Sequence, residues 1–298
     1  MSLHNRSVRR DVRELGALLG DILEDQSSQQ AFETVESLRT GAIDVRRGRV
    51  EDREALRREI RGLEPVLESV VARAFTSYFE LINLAEERQR VREIRRASQA
   101  GTLADSLEEA AETLADADPE TTDRVLADVL IQPTFTAHPT EARRKTIKAK
   151  LREVGEHIER LDECTQTDKE HSQVWRDLEA AVTSLWQTLQ VRRRQPSPED
   201  EARNVLWYLE NTLFEVIGEV YDEFENALAA AQDGDEEASV PRLFEFRSWA
   251  GSDRDGNPFV TPDVTETTLE RQRAVAIERH RDARKRLSGV CSPDGSRI

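Results

Sequence analysis

The chain has 298 residues, and its 43 lysine and arginine residues against 59 aspartate and glutamate residues give a formal net charge of −16. This charge argues against a nucleic-acid-binding protein, because contacts to phosphates need a dense basic surface. No apolar run approaches the roughly 18 residues of a membrane-spanning helix, and the two cysteines form no CxxC pair that would indicate a zinc site. The opening residues contain no apolar stretch typical of a signal peptide, so we expect a cytoplasmic location.

Most of the chain is predicted to be helical, because apolar residues recur at helical spacing. The clearest case is the stripe from Val8 to Ile22. Gly41 is expected to end the second helix, and Pro65 is expected to start or kink a later one. The predicted helices cover 8–22, 28–40, 51–96, 104–117, 120–130, 141–163, 170–194, 199–232 and 264–288.

Two short segments, 131–137 and 243–249, depart from the helical pattern. The first is rich in β-branched and aromatic residues, and the second alternates apolar and polar residues as a strand does. Each is followed by a compact polar segment and then by a predicted helix. This order is typical of a β/α barrel, whose active site lies at the C-terminal ends of the strands.

Two strands cannot close a barrel, so the fold class predicted here is mainly α. We expect the helical N-terminal portion of an incomplete α/β (TIM-like) barrel with many extra helices. Residues 1–130 are predicted to form an N-terminal helical region. Residues 131–298 are predicted to begin the barrel and to contain its inserted helices, with an approximate boundary between the two.

His138 is the first candidate for chemistry, because it follows the first predicted strand and stands near Arg143 and Arg144. Thr140 can cap the next helix, whose free N–H groups would attract an anion. Nearby cations favour a neutral imidazole, and a neutral imidazole can accept a proton. The alternative is a histidine that only hydrogen-bonds the turn.

The second candidate is the loop that contains Asp253, Arg254, Asp255 and Asn257. A guanidinium held between two carboxylates would be oriented to bind a phosphate or a carboxylate. The alternative is a tight turn that satisfies its own polar groups through internal ion pairs. The remaining carboxylates are too scattered for any of them to be chosen as metal ligands.

The basic residues have an unusual composition, because only five of the 43 are lysines. Excess acid with almost no lysine favours a protein kept soluble in concentrated salt, where screening over about 3 Å at 1 M weakens self-repulsion. The alternative is an acidic protein whose GC-rich coding sequence favours arginine. That bias does not supply the acidic residues.

The two loops together resemble the signatures of the phosphoenolpyruvate carboxylase family. Residues 135–146 (FTAHPTEARRKT) resemble its histidine motif, and residues 248–258 (SWAGSDRDGNP) resemble its second signature. Segments 15–20, 74–86 and 196–203 are similar to further family segments in the same order. With the lysine-poor composition, the resemblance suggests a member from a halophilic archaeon.

The resemblance implies the carboxylation of phosphoenolpyruvate by bicarbonate, with Mg²⁺ or Mn²⁺, to oxaloacetate and phosphate, which replenishes the tricarboxylic acid cycle. It implies that His138 is the catalytic histidine. Its other implied site residues bind substrate or order the loop; they are Arg143, Arg144, Arg254, Asp253, Asp255 and Asn257. Members of the family are usually homotetramers, so a homotetramer is expected of the complete protein, with neither nucleic acid nor membrane as a partner.

The chain is shorter than a full family member. We expect an N-terminal portion that lacks the glycine- and arginine-rich mobile loop, the phosphoenolpyruvate-binding arginines and the metal-binding carboxylates. Such a portion is expected to be inactive alone. The alternative is a non-catalytic helical binding or phosphotransfer module. The proline after His138 argues against phosphotransfer, because it places the histidine outside the middle of a helix.

Overall fold

The structure, a computed structural model, describes residues 6–49, 53–136, 145–163, 166–188, 197–232, 240–255 and 257–290. The chain divides into two compact units. The first unit comprises 1–103 with 142–193, and the second unit comprises 104–141 with 194–298. Among the described helices, none combines the length and the apolar character needed to cross a membrane.

The elements of the first unit are helices. They are α1 (Val8–Gln26), α2 (Gln29–Arg46), α3 (Arg53–Arg61), α4 (Pro65–Gln99), α7 (Lys145–Leu161) and α8 (Asp168–Gln187). The second unit combines helices with two short strands. Its elements are α5 (Leu107–Ala115), α6 (Pro119–Asp128), β1 (Thr134–Phe135), α9 (Pro198–Tyr208), α10 (Phe214–Ala231), β2 (Arg247–Ser248) and α11 (Pro262–Val290). The prediction of a mainly α fold is confirmed.

The core of the first unit follows from the apolar stripe predicted for α1. Leu15, Leu18, Leu19 and Ile22 are buried on one face of that helix. They belong to one cluster with buried residues of α4, α7 and α8, including Trp186. The helical spacing in the sequence therefore identifies the face that packs.

A chain of buried charges also crosses this core. Arg6 Nε lies 2.7 Å from Asp11 Oδ1, and Arg92 Nη1 lies 2.6 Å from Asp11 Oδ2. Arg92 Nε in turn lies 2.6 Å from Asp162 Oδ2. The four residues are all buried. Because charges removed from water must be paired, this network ties α1 to α4 and to the end of α7.

The sequence predicts that Gly41 ends α2, but the helix continues past it to Arg46. A Cβ atom at Gly41 would lie only 2.6 Å from Leu56 Cδ2. The close packing of α3 thus explains a glycine inside a helix, where it costs about 1 kcal/mol relative to alanine. Pro65, by contrast, starts α4 as predicted.

The sequence predicts one helix over 199–232, but the structure divides it. Between α9 and α10 lies a π-helical turn, Leu209–Leu213. There the Asn211 side-chain amide donates to the Trp207 carbonyl at 2.8 Å, and Arg279 of α11 donates to the Glu210 carbonyl. The Trp207 carbonyl just before the turn and the Glu210 carbonyl within it therefore accept hydrogen bonds from side chains.

The second unit has a small core and a parallel strand pair. Ala111, Phe224, Leu228 and Leu243 form its buried cluster, where α5 packs on α10. In the pair, Thr134 is opposite Arg247 and Phe135 is opposite Ser248. The predicted boundary near residue 130 and the barrel itself stay predictions.

Candidate active site at the strand ends

The parallel pairing brings the two predicted loop segments to one edge of the sheet. The backbone N–H of Trp249 donates to the Phe135 carbonyl at 2.8 Å, just past the paired residues. Thr136 and Trp249 therefore leave β1 and β2 side by side, at the carboxyl ends of the strands. This is the edge at which α/β barrels carry their active sites.

Gly251 turns the loop after β2 back on itself. Its φ is +78°, a backbone conformation that favours glycine. A Cβ atom at Gly251 would lie 2.4 Å from Oγ1 of Thr268, which is buried in α11. The backbone N–H groups of Ser252 and Asp253 both donate to the Trp249 carbonyl at 3.0 Å. Only a glycine fits here, because the turn lies directly against α11.

Arg254 is placed over the first turns of α11. Its Nη2 donates to Thr265 Oγ1 at 3.4 Å, and the Thr265 hydroxyl donates to the Gly251 carbonyl at 2.9 Å. The Arg254 side chain is exposed. One threonine thus links the turn at Gly251, the arginine and α11.

The neighbouring polar side chains hydrogen-bond to the backbone of the loop and do not pair with Arg254. Asp253 Oδ1 accepts from the backbone N–H of Asp255 at 3.0 Å, and Asn257 Oδ1 accepts from that of Phe259 at 3.1 Å. Among the described residues, Arg254 makes no ion pair with Asp253 or Asp255. The expected guanidinium between two carboxylates is therefore not formed, because the Asp253 carboxylate caps its own turn.

Sequence reasoning missed the threonines that hold this loop. Thr261, Thr265 and Thr268 are spaced at i, i+4 and i+7 across the start of α11. The Thr268 hydroxyl donates to the Val264 carbonyl at 2.7 Å, which keeps its oxygen beside Gly251. Their spacing along one helix face is the signal that could have identified them.

Three of the predicted site residues, His138, Arg143 and Arg144, lie outside the described residues. The structure therefore assembles only the part of the predicted site that follows β2. At the other end of β2, hydrogen bonds from the exposed Arg247 lower the pKa of Glu245. Arg247 therefore pairs with Glu245 at the start of β2, whereas the candidate site lies at the end of that strand.

The described residues do not supply a metal centre. Within them, no group of three or more histidine, cysteine, aspartate or glutamate side chains could hold a metal ion. The exposed Asp253 and Asp255 have no third described ligand of this kind beside them, and one carboxylate oxygen of Asp253 already accepts a hydrogen bond. The Mg²⁺ or Mn²⁺ implied by the resemblance does not fit these residues by themselves.

Comparison with known proteins gives consistent matches along the chain. Residues 8–293 match the family model described as phosphoenolpyruvate carboxylase. The phosphoenolpyruvate carboxylase of Paraburkholderia xenovorans (strain LB400) is 38% identical over 294 residues, covering 95% of this chain and 29% of that protein. That of Roseiflexus castenholzii (strain DSM 13941 / HLO8) is 38% identical over 284 residues, covering 93% and 30%. That of Rhodothermus marinus is 33% identical over 300 residues, covering 95% and 31%. The chain thus spans under a third of the length of these relatives.

Proposed function

This chain belongs to the phosphoenolpyruvate carboxylase family, and on that premise we propose that it forms part of an enzyme that carboxylates phosphoenolpyruvate with bicarbonate. The products are oxaloacetate and phosphate, and the reaction replenishes the tricarboxylic acid cycle. The family match over 8–293, which contains both loop motifs, carries this proposal. Because the relatives are about three times as long, the activity is proposed for a polypeptide that also contains their remaining length.

The proposed chemistry has two steps. Bicarbonate oxygen attacks the phosphoryl group, the bond from phosphorus to the enol oxygen breaks, and carboxyphosphate and the pyruvate enolate form. Carboxyphosphate then releases CO₂ and phosphate, and the enolate carbon attacks CO₂. We assign His138 as the base that takes the carboxyphosphate proton and helps to hold CO₂, because a neutral imidazole suits that role.

The strand pairing supports this assignment. His138 follows Phe135 by three residues, as Gly251 follows Ser248, and Phe135 and Ser248 are paired in register. Both segments thus leave the same edge of the sheet. We propose that His138 and the Arg254 loop face one site there, within a TIM-like barrel that begins near residue 131.

The arginines are proposed to hold anions at that site. Both substrates are anionic, and negative charge develops on the enolate oxygen, so fixed cations stabilise the transition state. Arg143 and Arg144 follow His138 closely, and Arg254 is oriented by Thr265. A divalent cation, Mg²⁺ or Mn²⁺, would supply further charge stabilisation, with ligands from outside the described residues.

The test is His138→Asn in the complete protein. We expect oxaloacetate formation to be abolished while some breakdown of phosphoenolpyruvate to pyruvate remains, measured by coupled assays for each product. The matched control is His171→Asn, because His171 is exposed on α8. Unchanged carboxylation in the His138 variant would contradict the assignment.

Further proposals concern the setting of the enzyme. We propose a cytoplasmic homotetramer from a halophilic archaeon, and its excess of acid over lysine supports the adaptation to salt. The apparent melting temperature is expected to rise steeply between 0.1 and about 2 M KCl, as screening weakens self-repulsion. Sedimentation of the complete protein tests the tetramer. A melting temperature insensitive to KCl would favour the GC-bias interpretation of the composition.

A further inference from the structure

The first unit contains a cavity that the carboxylation site does not use. Its volume is about 650 Å³, and it lies among α1, α2 and α4. Pockets of roughly 300–1,000 Å³ are the usual size for small-molecule sites. Its apolar walls include Gly16, Ala17, Gly20, Phe32, Phe75 and Tyr78.

Two glycines bring aromatic rings close to α1. A Cβ atom at Gly16 would lie 3.2 Å from Tyr78 Cε2, and one at Gly20 would lie 4.0 Å from Phe32 Cε2. Ala17, between them, is exposed and keeps the groove open. Aromatic walls favour an aromatic occupant, which gains offset-stacked or edge-to-face contacts beyond the area it buries.

The groove is positively charged towards the start of α1. Arg9 and Arg13 line it, both are exposed, and neither has an acidic partner within the part of the chain that the structure describes. Their neighbour Arg10, by contrast, pairs with Glu14 at 2.8 Å. In a chain of net charge −16, two unpaired arginines beside an apolar cavity indicate an anionic ligand.

A third arginine of the groove is already neutralised. Arg39 donates to both carboxylate oxygens of Glu36, at 2.9 and 2.7 Å. These hydrogen bonds lower the pKa of Glu36. At the far end of the groove, Asp21 would repel an anion. The available positive charge therefore lies at Arg9 and Arg13, and it fixes the orientation of a ligand.

The spacing along α1 sets the length of that ligand. Arg9, Arg13, Gly16 and Gly20 lie on one helix face, and a rise of about 1.5 Å per residue separates Arg13 from Gly20 by about 10 Å. That distance matches a fused or linked pair of aromatic rings.

We propose that this groove binds an aromatic anion, with its rings in the open part of the cavity over Ala17, against the walls that Phe32, Phe75 and Tyr78 form. Its carboxylate, sulfonate or phosphate group lies at Arg9 and Arg13. The proposal goes beyond carboxylation, because it assigns a second ligand site built entirely from the first unit.

The test uses 8-anilinonaphthalene-1-sulfonate as the probe, titrated into the 298-residue chain by fluorescence and calorimetry. We expect a saturable site whose affinity falls with added salt, in addition to weaker binding at the exposed apolar side chains of the second unit. Ala17→Leu fills the groove from an exposed helix position and should weaken binding at least about tenfold, equivalent to about 1.4 kcal/mol. Arg13→Gln should weaken it about two- to fivefold and flatten the salt dependence.

Arg90→Gln is the matched control, because Arg90 is an exposed arginine of α4 that does not line the groove. It removes the same charge and should leave binding unchanged. Circular dichroism and the urea midpoint confirm that each variant is folded. The proposal is overturned if Ala17→Leu binds the probe as the parent chain does, or if Arg90→Gln weakens binding as much as Arg13→Gln. Loss of the site in the complete protein would also overturn it, since another segment would then fill the groove.

Discussion

The two units bury their apolar residues to very different extents. The first unit packs α1, α4, α7 and α8 around one extensive core, whereas the second unit has a cluster of only four buried residues among those described. Most of the large apolar side chains that are exposed in the described part of the chain belong to the second unit, among them Trp249 at 56%, Phe259 at 73% and Leu269 at 58%. The first unit thus packs most of its large apolar side chains into its own core, whereas the second unit leaves an apolar surface of the kind that makes further contacts.

The largest expected effect comes from breaking the buried charges of the first unit. Arg92→Met removes the cation between Asp11 and Asp162 and leaves two buried carboxylates without it. The free energy of unfolding of the first unit should fall by about 3–5 kcal/mol. Urea unfolding measures this by the fluorescence of Trp175 and Trp186, with Trp207 and Trp249 replaced by phenylalanine.

The matched control for this prediction is Arg95→Met. Arg95 pairs with Glu159 at 2.7 Å, but both side chains are substantially exposed. Its loss should cost no more than about 1 kcal/mol. Similar losses in the two arginine variants would contradict the view that burial makes the Arg92 network essential.

A leucine in each unit tests the comparison directly. Leu185→Ala empties a fully buried position in the first unit and should cost about 2–5 kcal/mol. Leu269→Ala, at a position 58% exposed, should change stability by no more than about 0.5 kcal/mol in this chain. Equal losses, measured by urea unfolding, would show that the second unit is packed as densely as the first.

The turn at Gly251 sharpens the comparison at the candidate site. Gly251→Ala places a Cβ atom on a residue with positive φ and against the Thr268 hydroxyl. The free energy of unfolding of the second unit should therefore fall by about 1–3 kcal/mol. Gly101→Ala in the first unit has a similar φ of +64° but nothing within 4 Å of the added Cβ, and it should cost less. Adding Thr268→Ala should recover part of the Gly251→Ala loss, and no recovery would contradict the steric explanation.

The smallest effect concerns acid stability. In the first unit, the hydrogen bond from Arg95 leads the interactions that lower the pKa of Glu159. The resulting stabilisation is present above the ordinary glutamate pKa and is lost as the pH falls through the lower folded value. Glu159→Gln should therefore destabilise the unit near pH 7 and have little effect near pH 3, as urea midpoints would show.

The second unit should respond in the opposite sense at Glu201. Burial raises the pKa of this carboxyl, so its contribution is favourable below the ordinary glutamate pKa and is lost as the pH rises through the folded value. Glu201→Gln should gain stability over the parent chain as the pH rises from about 4 to 7. A constant difference across that range would contradict the burial effect.

Local patterns predict the helices well and their exceptions poorly. The apolar stripe of α1 and the proline that starts α4 are each short local patterns, so the sequence is sufficient to predict them. Gly41 remains helical because of Leu56, and the turn Leu209–Leu213 coincides with a contact from Arg279. Such contacts bring together residues that no local window contains.

The candidate site shows the same limit. Sequence spacing places polar loops after both strands, and the parallel register confirms that the strands are neighbours. Sequence spacing does not reveal that Arg254 donates a hydrogen bond to Thr265 instead of pairing with the flanking carboxylates. A clearer signal was present for the buried network, because Asp11 interrupts the apolar stripe four residues before Leu15.

The parallel strand pair also determines when, during synthesis of the chain, the candidate site can form. Gln132 beside β1 and Glu245 beside β2 are hydrogen-bonded although they lie 113 residues apart in the chain. At about 5–20 residues per second, a ribosome needs roughly 6–23 s to deliver the second strand after the first. Helices α7 and α8 emerge in that interval and complete the core of the first unit. The nascent chain can therefore finish its helical unit before the edge that carries the candidate active site exists.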